Sequence, residues 1–183
     1  GFSYSAWVKL PANDGSGAIL ARMNEAENYR GWDLWVEGRR IGGHIINSWP
    51  GNALKVVTQE QLPADQWTHV AVVYDGKSKA AGVQVFVNGV LKPTNVLADT
   101  LNGTIKATVP FKVGQRHKSS PLSGAMIQDV RVYARQLGDG EIASLAKSAL
   151  SAVIAAAPDK RTEADLNSLY DWWLANLDGQ YQS

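Results

Sequence analysis

The residues best suited to chemistry sit in two neighbouring stretches. Residues 31–37 read Gly-Trp-Asp-Leu-Trp-Val-Glu, and residues 40–48 read Arg-Ile-Gly-Gly-His-Ile-Ile-Asn-Ser. Both alternate as half-buried strands do, and Gly38-Arg39 between them reads as a hairpin turn. If Leu34 and Val36 point into a core, Asp33, Trp35 and Glu37 share the other face. If Ile41 and Ile45 point in, then Arg40, His44 and Ile46 lie beside them on that face. An indole on an open sheet face stacks against the apolar C–H face of a pyranose. Imidazole and guanidinium groups hydrogen-bond to hydroxyls. Tyr29, Arg30, Trp49, Arg116 and His117 fall in loops that would rim such a face. The candidate ligand contacts are therefore Trp35, His44, Arg40, Trp49, Arg116, His117 and Tyr29.

The bland readings are specific too. Trp35 is equally explained as buried beneath a C-terminal helix, and a basic loop such as 116–118 is commonly just solvated. Trp7 and Trp67 read as core, and His69 as a structural histidine.

Catalysis by paired carboxylates fits poorly. Glycoside hydrolysis needs two carboxyl groups roughly 5–9.5 Å apart. Asp33 and Glu37, on one strand face, would stand about 13 Å apart. No Gly-x-Ser-x-Gly elbow, His-Glu-x-x-His pair or phosphate-binding glycine loop is present.

Composition narrows the rest. Eighteen Lys and Arg balance 17 Asp and Glu, for a net charge of +1. The longest basic cluster is Arg116-His117-Lys118, which argues against a nucleic-acid surface. The chain has no cysteine, so neither a disulfide framework nor a thiolate metal site is possible. No apolar run reaches the length of a membrane span. With 45% hydrophobic residues among 183, a full core is within reach. The chain opens at Gly1-Phe2 directly in a strand pattern, with no signal peptide. It reads as an excised piece of a longer protein.

The elements that must position these residues centre on 66–91. Trp67–Tyr74 and Val83–Val87 are apolar and β-branched, and Asn88-Gly89 closes the second run with a tight hairpin dipeptide. Further strands are expected at Phe2–Leu10, Ala18–Met23, Leu54–Thr58, Thr100–Ala107, Phe111–Gln115 and Met126–Ala134. Turn signals about every ten residues predict an all-β antiparallel sandwich. After Gln136 the apolar period becomes helical. Ile142, Leu145, Ala146, Ala149, Leu150 and Val153 stripe a first helix. Leu166, Leu169, Tyr170, Trp173, Leu174 and Leu177 stripe a second, with Thr162 as N-cap and Asp165 completing the cap. The expected division is a sandwich over 1–136 and a helical hairpin over 137–183 that links to a missing domain.

Three segments carry a family resemblance: "FSYSAWVKLP" at 2–11, "DQWTHVAVVYDG" followed by "VQVFVNGVL", and "LSGAMIQDVRVYARQLGDGEI" at 122–142. Together they resemble the laminin-G-like domains of the concanavalin A-like lectin/glucanase superfamily. The resemblance implies a jelly-roll β-sandwich whose concave face and rim loops hold ligand. It also raises the hydrolase question, because the family's glucanases carry Glu, Asp and Glu at alternate positions of one strand. Here a Trp stands in the middle of Asp33-Trp35-Glu37, so that pattern is broken. Many such domains hold calcium, and the closing motif then offers Asp-Glu. Here it reads Gln128-Asp129. Asp129 is the resulting calcium candidate, with Asp14 and Asn13 as partners. The tail "DLNSLYDWWLANLDGQYQS" is similar to that of laminin-G-like domains within large planctomycete proteins that carry cytochrome-like segments.

The reading that follows is a non-catalytic, lectin-like carbohydrate-binding module of a larger exported protein, placed extracellularly, in the periplasm or at the cell surface. Its partner would be a polysaccharide or glycan. The alternative is a protein-interaction or structural spacer module that docks on other domains of its parent. A glycoside hydrolase is the remote third.

Overall fold

A computed structural model describes residues 1–13, 15–147 and 153–176. Asp14, the Ala149 and Leu150 positions of the first helical stripe, and the tail from Leu177 onward lie outside the described residues.

Two antiparallel sheets face one another. The strands are β1 (Phe2–Lys9), β2 (Ser16–Asn24), β3 (Arg30–Glu37), β4 (Arg40–Ser48), β5 (Asn52–Thr58), β6 (Trp67–Tyr74), β7 (Val83–Val87), β8 (Val90–Lys92), β9 (Thr94–Asp99), β10 (Lys112–Val113) and β11 (Met126–Tyr133). One sheet has the order β11-β1-β6-β7-β8, the other β10-β2-β3-β4-β5-β9. The alternation read from the sequence sets the faces. Tyr4, Ala6 and Val8 of β1, Leu34 and Val36 of β3, Ile41 and Ile45 of β4, Leu54 and Val56 of β5, and Val70 and Val72 of β6 meet between the sheets. Tyr4 and Trp32 stack there at 4.6 Å. Burying a Leu- or Ile-sized side chain stabilises by about 1.5–3 kcal/mol, so this row dominates the fold's stability.

The expected strand at Thr100–Ala107 is not one. Residues 100–111 run without regular structure, and β9 lies earlier, at Thr94–Asp99 on the edge beside β5. Leu101, Ala107 and Val109 of this segment are nonetheless buried. Side chains hold their backbone instead of a ladder: Asn47 donates to the Thr104 carbonyl (2.7 Å), Asn52 to that of Asn102 (2.7 Å), and Arg22 to that of Val109 (3.1 Å). Burial thus wrote the period-2 pattern without strand pairing. The expected strand at Phe111–Gln115 shrinks to the two residues of β10.

Helix α1 (Asp139–Ala146) lies on the outer face of the five-stranded sheet, where Ile142 and Leu137 pack with Ala71, Val73 and Phe86. Residues 137–146 are therefore continuous with the packing of the sandwich. Helix α2 (Glu163–Asn176) begins as its sequence dictates. Thr162 Oγ1 accepts from Asp165 N–H (3.2 Å), and the Asp165 carboxylate accepts from Thr162 N–H (2.8 Å). Among the described residues no helix is long and apolar enough to cross a membrane.

Candidate binding site

The outer face of the six-stranded sheet carries the site. Asp33, Trp35 and Glu37 of β3 share it with His44 and Ile46 of β4, as the alternation predicts. Beneath Trp35 lies a patch of small and flexible side chains, Ala18, Ala21, Met23, Ile46 and Ala53, all essentially inaccessible to solvent.

Asp33 is the foundation. Its side chain is fully buried and accepts four hydrogen bonds. Oδ1 takes the His44 backbone N–H (3.0 Å) and lies 2.9 Å from His44 Nδ1, while Oδ2 takes Arg116 Nε (2.9 Å) and Nη2 (2.7 Å). Burial pushes the Asp33 carboxyl up, but His44 and Arg116 together outweigh it and hold the group below its ordinary value. An ionised carboxylate only accepts, so His44 Nδ1 must carry the proton at this contact. The 3.4 Å approach of Arg116 Nη2 to the same nitrogen is then a packing contact between two donors. With the proton on Nδ1, the other ring nitrogen, Nε2, is left facing away from Asp33.

Arg116 lies against two aromatic faces, its guanidinium carbon 4.3 Å from the Trp35 ring centre and 5.5 Å from that of Tyr29. Such contacts favour a desolvated cation. The loop that brings Arg116 here is fixed locally. Arg116 N–H donates to the Ser119 carbonyl (2.9 Å), and Glu25 Oε1 accepts from Lys118 N–H (3.0 Å) and the Ser119 hydroxyl (2.8 Å). Partial burial opposes ionisation of Glu25, yet these bonds hold its carboxyl below the usual range.

The rim is aromatic. Tyr29 and Trp49 are 37% and 36% exposed, and the Trp49 ring stands edge-on to His44 at 5.5 Å. Their loops are tied together, since Trp49 N–H donates to the Asn28 carbonyl (2.9 Å) and Arg30 Nε to that of Asn47 (3.3 Å). Asn28 and Tyr29 both have positive φ, 52° and 63°. Asn tolerates that region; Tyr does so at a cost of roughly 1–2 kcal/mol. Tyr29, Trp35, His44, Ile46, Trp49 and Arg116 enclose a cavity of about 210 Å³.

Five of the seven expected ligand contacts thus come together: Tyr29, Trp35, His44, Trp49 and Arg116. Arg40 shares their sheet face but lies at the hairpin end, opposite Glu37, where its Nε reaches the Gln59 carbonyl (3.3 Å). His117 does not line the cavity; it is close enough to Glu25 to favour that group's charged form. Ile46 and the anchoring role of Asp33 were not expected. The signal for Asp33 was its place beside Trp35 on the outward face, where an unpaired carboxylate under an aromatic ring would be costly. Trp35 is half-buried, and what covers it among the described residues is Arg116 and His44. Trp7 is buried, yet on the outer face of the other sheet against His69 (5.7 Å), and Trp67 is half-buried.

Two of the residues expected to hold calcium make hydrogen bonds within the protein. Asp129 Oδ1 and Oδ2 accept from Arg131 Nε (2.7 Å) and Nη2 (3.1 Å), so a cation already occupies the carboxylate. Asn13 Oδ1 accepts from Gly15 N–H (3.0 Å), and Asp14 lies outside the described residues. Among the described residues no three His, Cys, Asp or Glu side chains are grouped so as to hold a metal.

Comparison with known proteins agrees with the sandwich. Residues 1–143 match the family model described as the concanavalin A-like lectin/glucanases superfamily. The chain belongs to this superfamily. Among solved structures, it is similar to the CBM40 domain of the Ruminococcus gnavus IT-sialidase bound to alpha2,3 sialyllactose, with 18% identity and a TM-score of 0.60 over 79% of this chain and 82% of that one. The same CBM40 domain without that ligand in its description gives 17% identity and a TM-score of 0.62 over 79% and 82%. The binding domain of botulinum neurotoxin serotype G gives 17% identity and a TM-score of 0.53 over 80% of this chain. This chain spans about a third (36%) of that toxin domain. At these identities the likeness is one of fold. These superfamily neighbours are binding domains. No curated protein matches the chain.

Proposed function

We propose that this domain is a non-catalytic carbohydrate-binding module. The observation that carries the reading is the pairing of two exposed aromatic rings, Tyr29 and Trp49, with a buried polar floor in one cavity. Trp49 and Tyr29 would stack on the apolar face of a sugar ring. His44 Nε2 would accept from a hydroxyl and Arg116 Nη1 would donate to one. Neither atom makes a hydrogen bond among the described residues. Asp33 orients both groups without touching the ligand. Rigid donors and acceptors of this kind cost little ordering on binding.

Catalysis has no support in this geometry. Asp33 is saturated by four donors and lies beneath the cavity floor. Glu37 accepts from Lys55 Nζ (2.8 Å), which holds its carboxyl low, so it is not poised as a general acid. The similarity to binding domains supports the same reading, as it does a place outside the cell, as part of a larger exported protein. The test is a glycan array probed with this chain and with Trp49→Ala.

One observation favours a second role. Leu166, Tyr170 and Trp173 are exposed at helical spacing along α2, at 52%, 58% and 43%. That stripe suits docking on another domain of a parent protein. It is remote from the cavity residues in sequence and compatible with glycan binding.

A further inference from the structure

Resting on the glycan reading, we infer that the cavity takes a single neutral pyranose at the end of a chain and selects against acidic sugars. Two independent observations lead there, one of charge and one of size.

Three cations in and around the cavity are each paired with a carboxylate. Arg116 Nη2 lies 2.7 Å from Asp33, Arg30 Nη1 lies 2.9 Å from Glu27, and Lys55 Nζ lies 2.8 Å from Glu37. Lys55 sits directly opposite His44 across β4 and β5. Glu25 reaches the backbone and hydroxyl of the loop after Arg116 and brings a further negative charge to it. Within the cluster the Asp33 carboxylate and the Arg116 guanidinium offset one another. A carboxylate entering the cavity would lose its water and meet no unpaired cation, which is costly. A hydroxyl asks only for one donor or one acceptor. Arg116 Nη1, His44 Nε2 and the Tyr29 hydroxyl supply both kinds.

The cavity's volume is about 210 Å³. Sites that bury a drug-sized ligand run to about 300–1,000 Å³. The space therefore suits one ring and its substituents. Tyr29 and Trp49, on loops bonded to each other through Asn28, wall the cavity on the side of the β2–β3 and β4–β5 turns. A polysaccharide running through would need an open groove along the sheet. Along this sheet face, Arg40 bonded to Gln59, and the Glu37–Lys55 pair, occupy the far end of β3 and β4.

The test is calorimetric titration at pH 8, where an ordinary imidazole is neutral. The probes are methyl pyranosides of neutral hexoses and N-acetylhexosamines, the matching uronic acids, sialyllactose, and neutral oligosaccharides of one to six rings. The expected result is saturable binding of at least one neutral pyranoside. Its uronic counterpart should bind at least about tenfold more weakly, and affinity should level off by the second ring. Glu37→Gln, which leaves Lys55 without its carboxylate, should narrow the neutral-to-acidic ratio. Preference for the acidic probes, or affinity that keeps rising with chain length, overturns this inference and leaves glycan binding standing. Binding of no probe by a folded sample removes both.

Discussion

Asp33 and Arg116 stand 83 residues apart in the chain and meet through two buried hydrogen bonds of 2.9 and 2.7 Å. The pair joins the β3–β4 hairpin to the loop after β10. It also fixes His44, because the other oxygen of Asp33 holds the imidazole. One carboxylate thus sets the position of both polar groups on the cavity floor.

Removing that carboxylate should be severe. Asp33→Ala leaves the Arg116 guanidinium buried and uncompensated and frees the His44 ring. Breaking one side of a buried pair typically costs about 3–5 kcal/mol. Urea unfolding should show a loss of that order. Arg116→Met keeps apolar bulk over Trp35 but leaves both hydrogen bonds to Oδ2 of the buried Asp33 unmade, so it should also be strongly destabilising.

Tyr29 should behave in the opposite way. Its φ of 63° suits Asn far better than Tyr. Tyr29→Asn should leave thermal stability unchanged or raise it by up to about 1 kcal/mol, while glycan affinity falls. A site that holds an unfavourable backbone for the sake of a ring is a known compromise between stability and function. A stability loss with intact binding would assign Tyr29 to the fold instead.

His69 predicts a pH dependence away from the site. It is buried against Trp7, and burial lowers its pKa from 6.5 to about 4, with Asp129 acting weakly the other way. The unfolded chain takes up this proton near pH 6.5 and the folded chain only near 4. Stability from this residue is therefore full above about pH 6.5 and is lost progressively as pH falls toward 4. The whole effect is about 3 kcal/mol by linkage. His69→Gln should flatten the stability profile between pH 4 and 6.5.

Much of the architecture was legible in the sequence because burial imposes period 2 wherever one sheet face is wet. Leu34 with Val36, and Ile41 with Ile45, gave the faces of β3 and β4, and so put Trp35 and His44 together. Asn88-Gly89 gave the β7–β8 turn. The same logic misled at Thr100–Ala107, where Leu101 and Ala107 are buried in an irregular segment held by Asn47 and Asn52. It also placed Arg40 in the site, since a shared face says nothing of distance along the strand. The anchoring role of Asp33 was out of reach because its partner comes from a loop 83 residues away. Asp129 is read as a metal ligand from a resemblance, and the structure adds that its carboxylate accepts from Arg131, two residues on.

The central claim is that Tyr29, Trp49, His44 and Arg116 bind a sugar. The most direct measurement is a glycan array read in parallel with this chain and Trp49→Ala. Trp49 is on the rim and 36% exposed, so its loss should leave the chain folded, which an unfolding curve of the variant checks. Losing a stacking ring should weaken binding about tenfold or more. The account predicts discrete glycan signals for the chain that vanish or fade in the variant. Equal signals from both, or none from a folded chain, would contradict it.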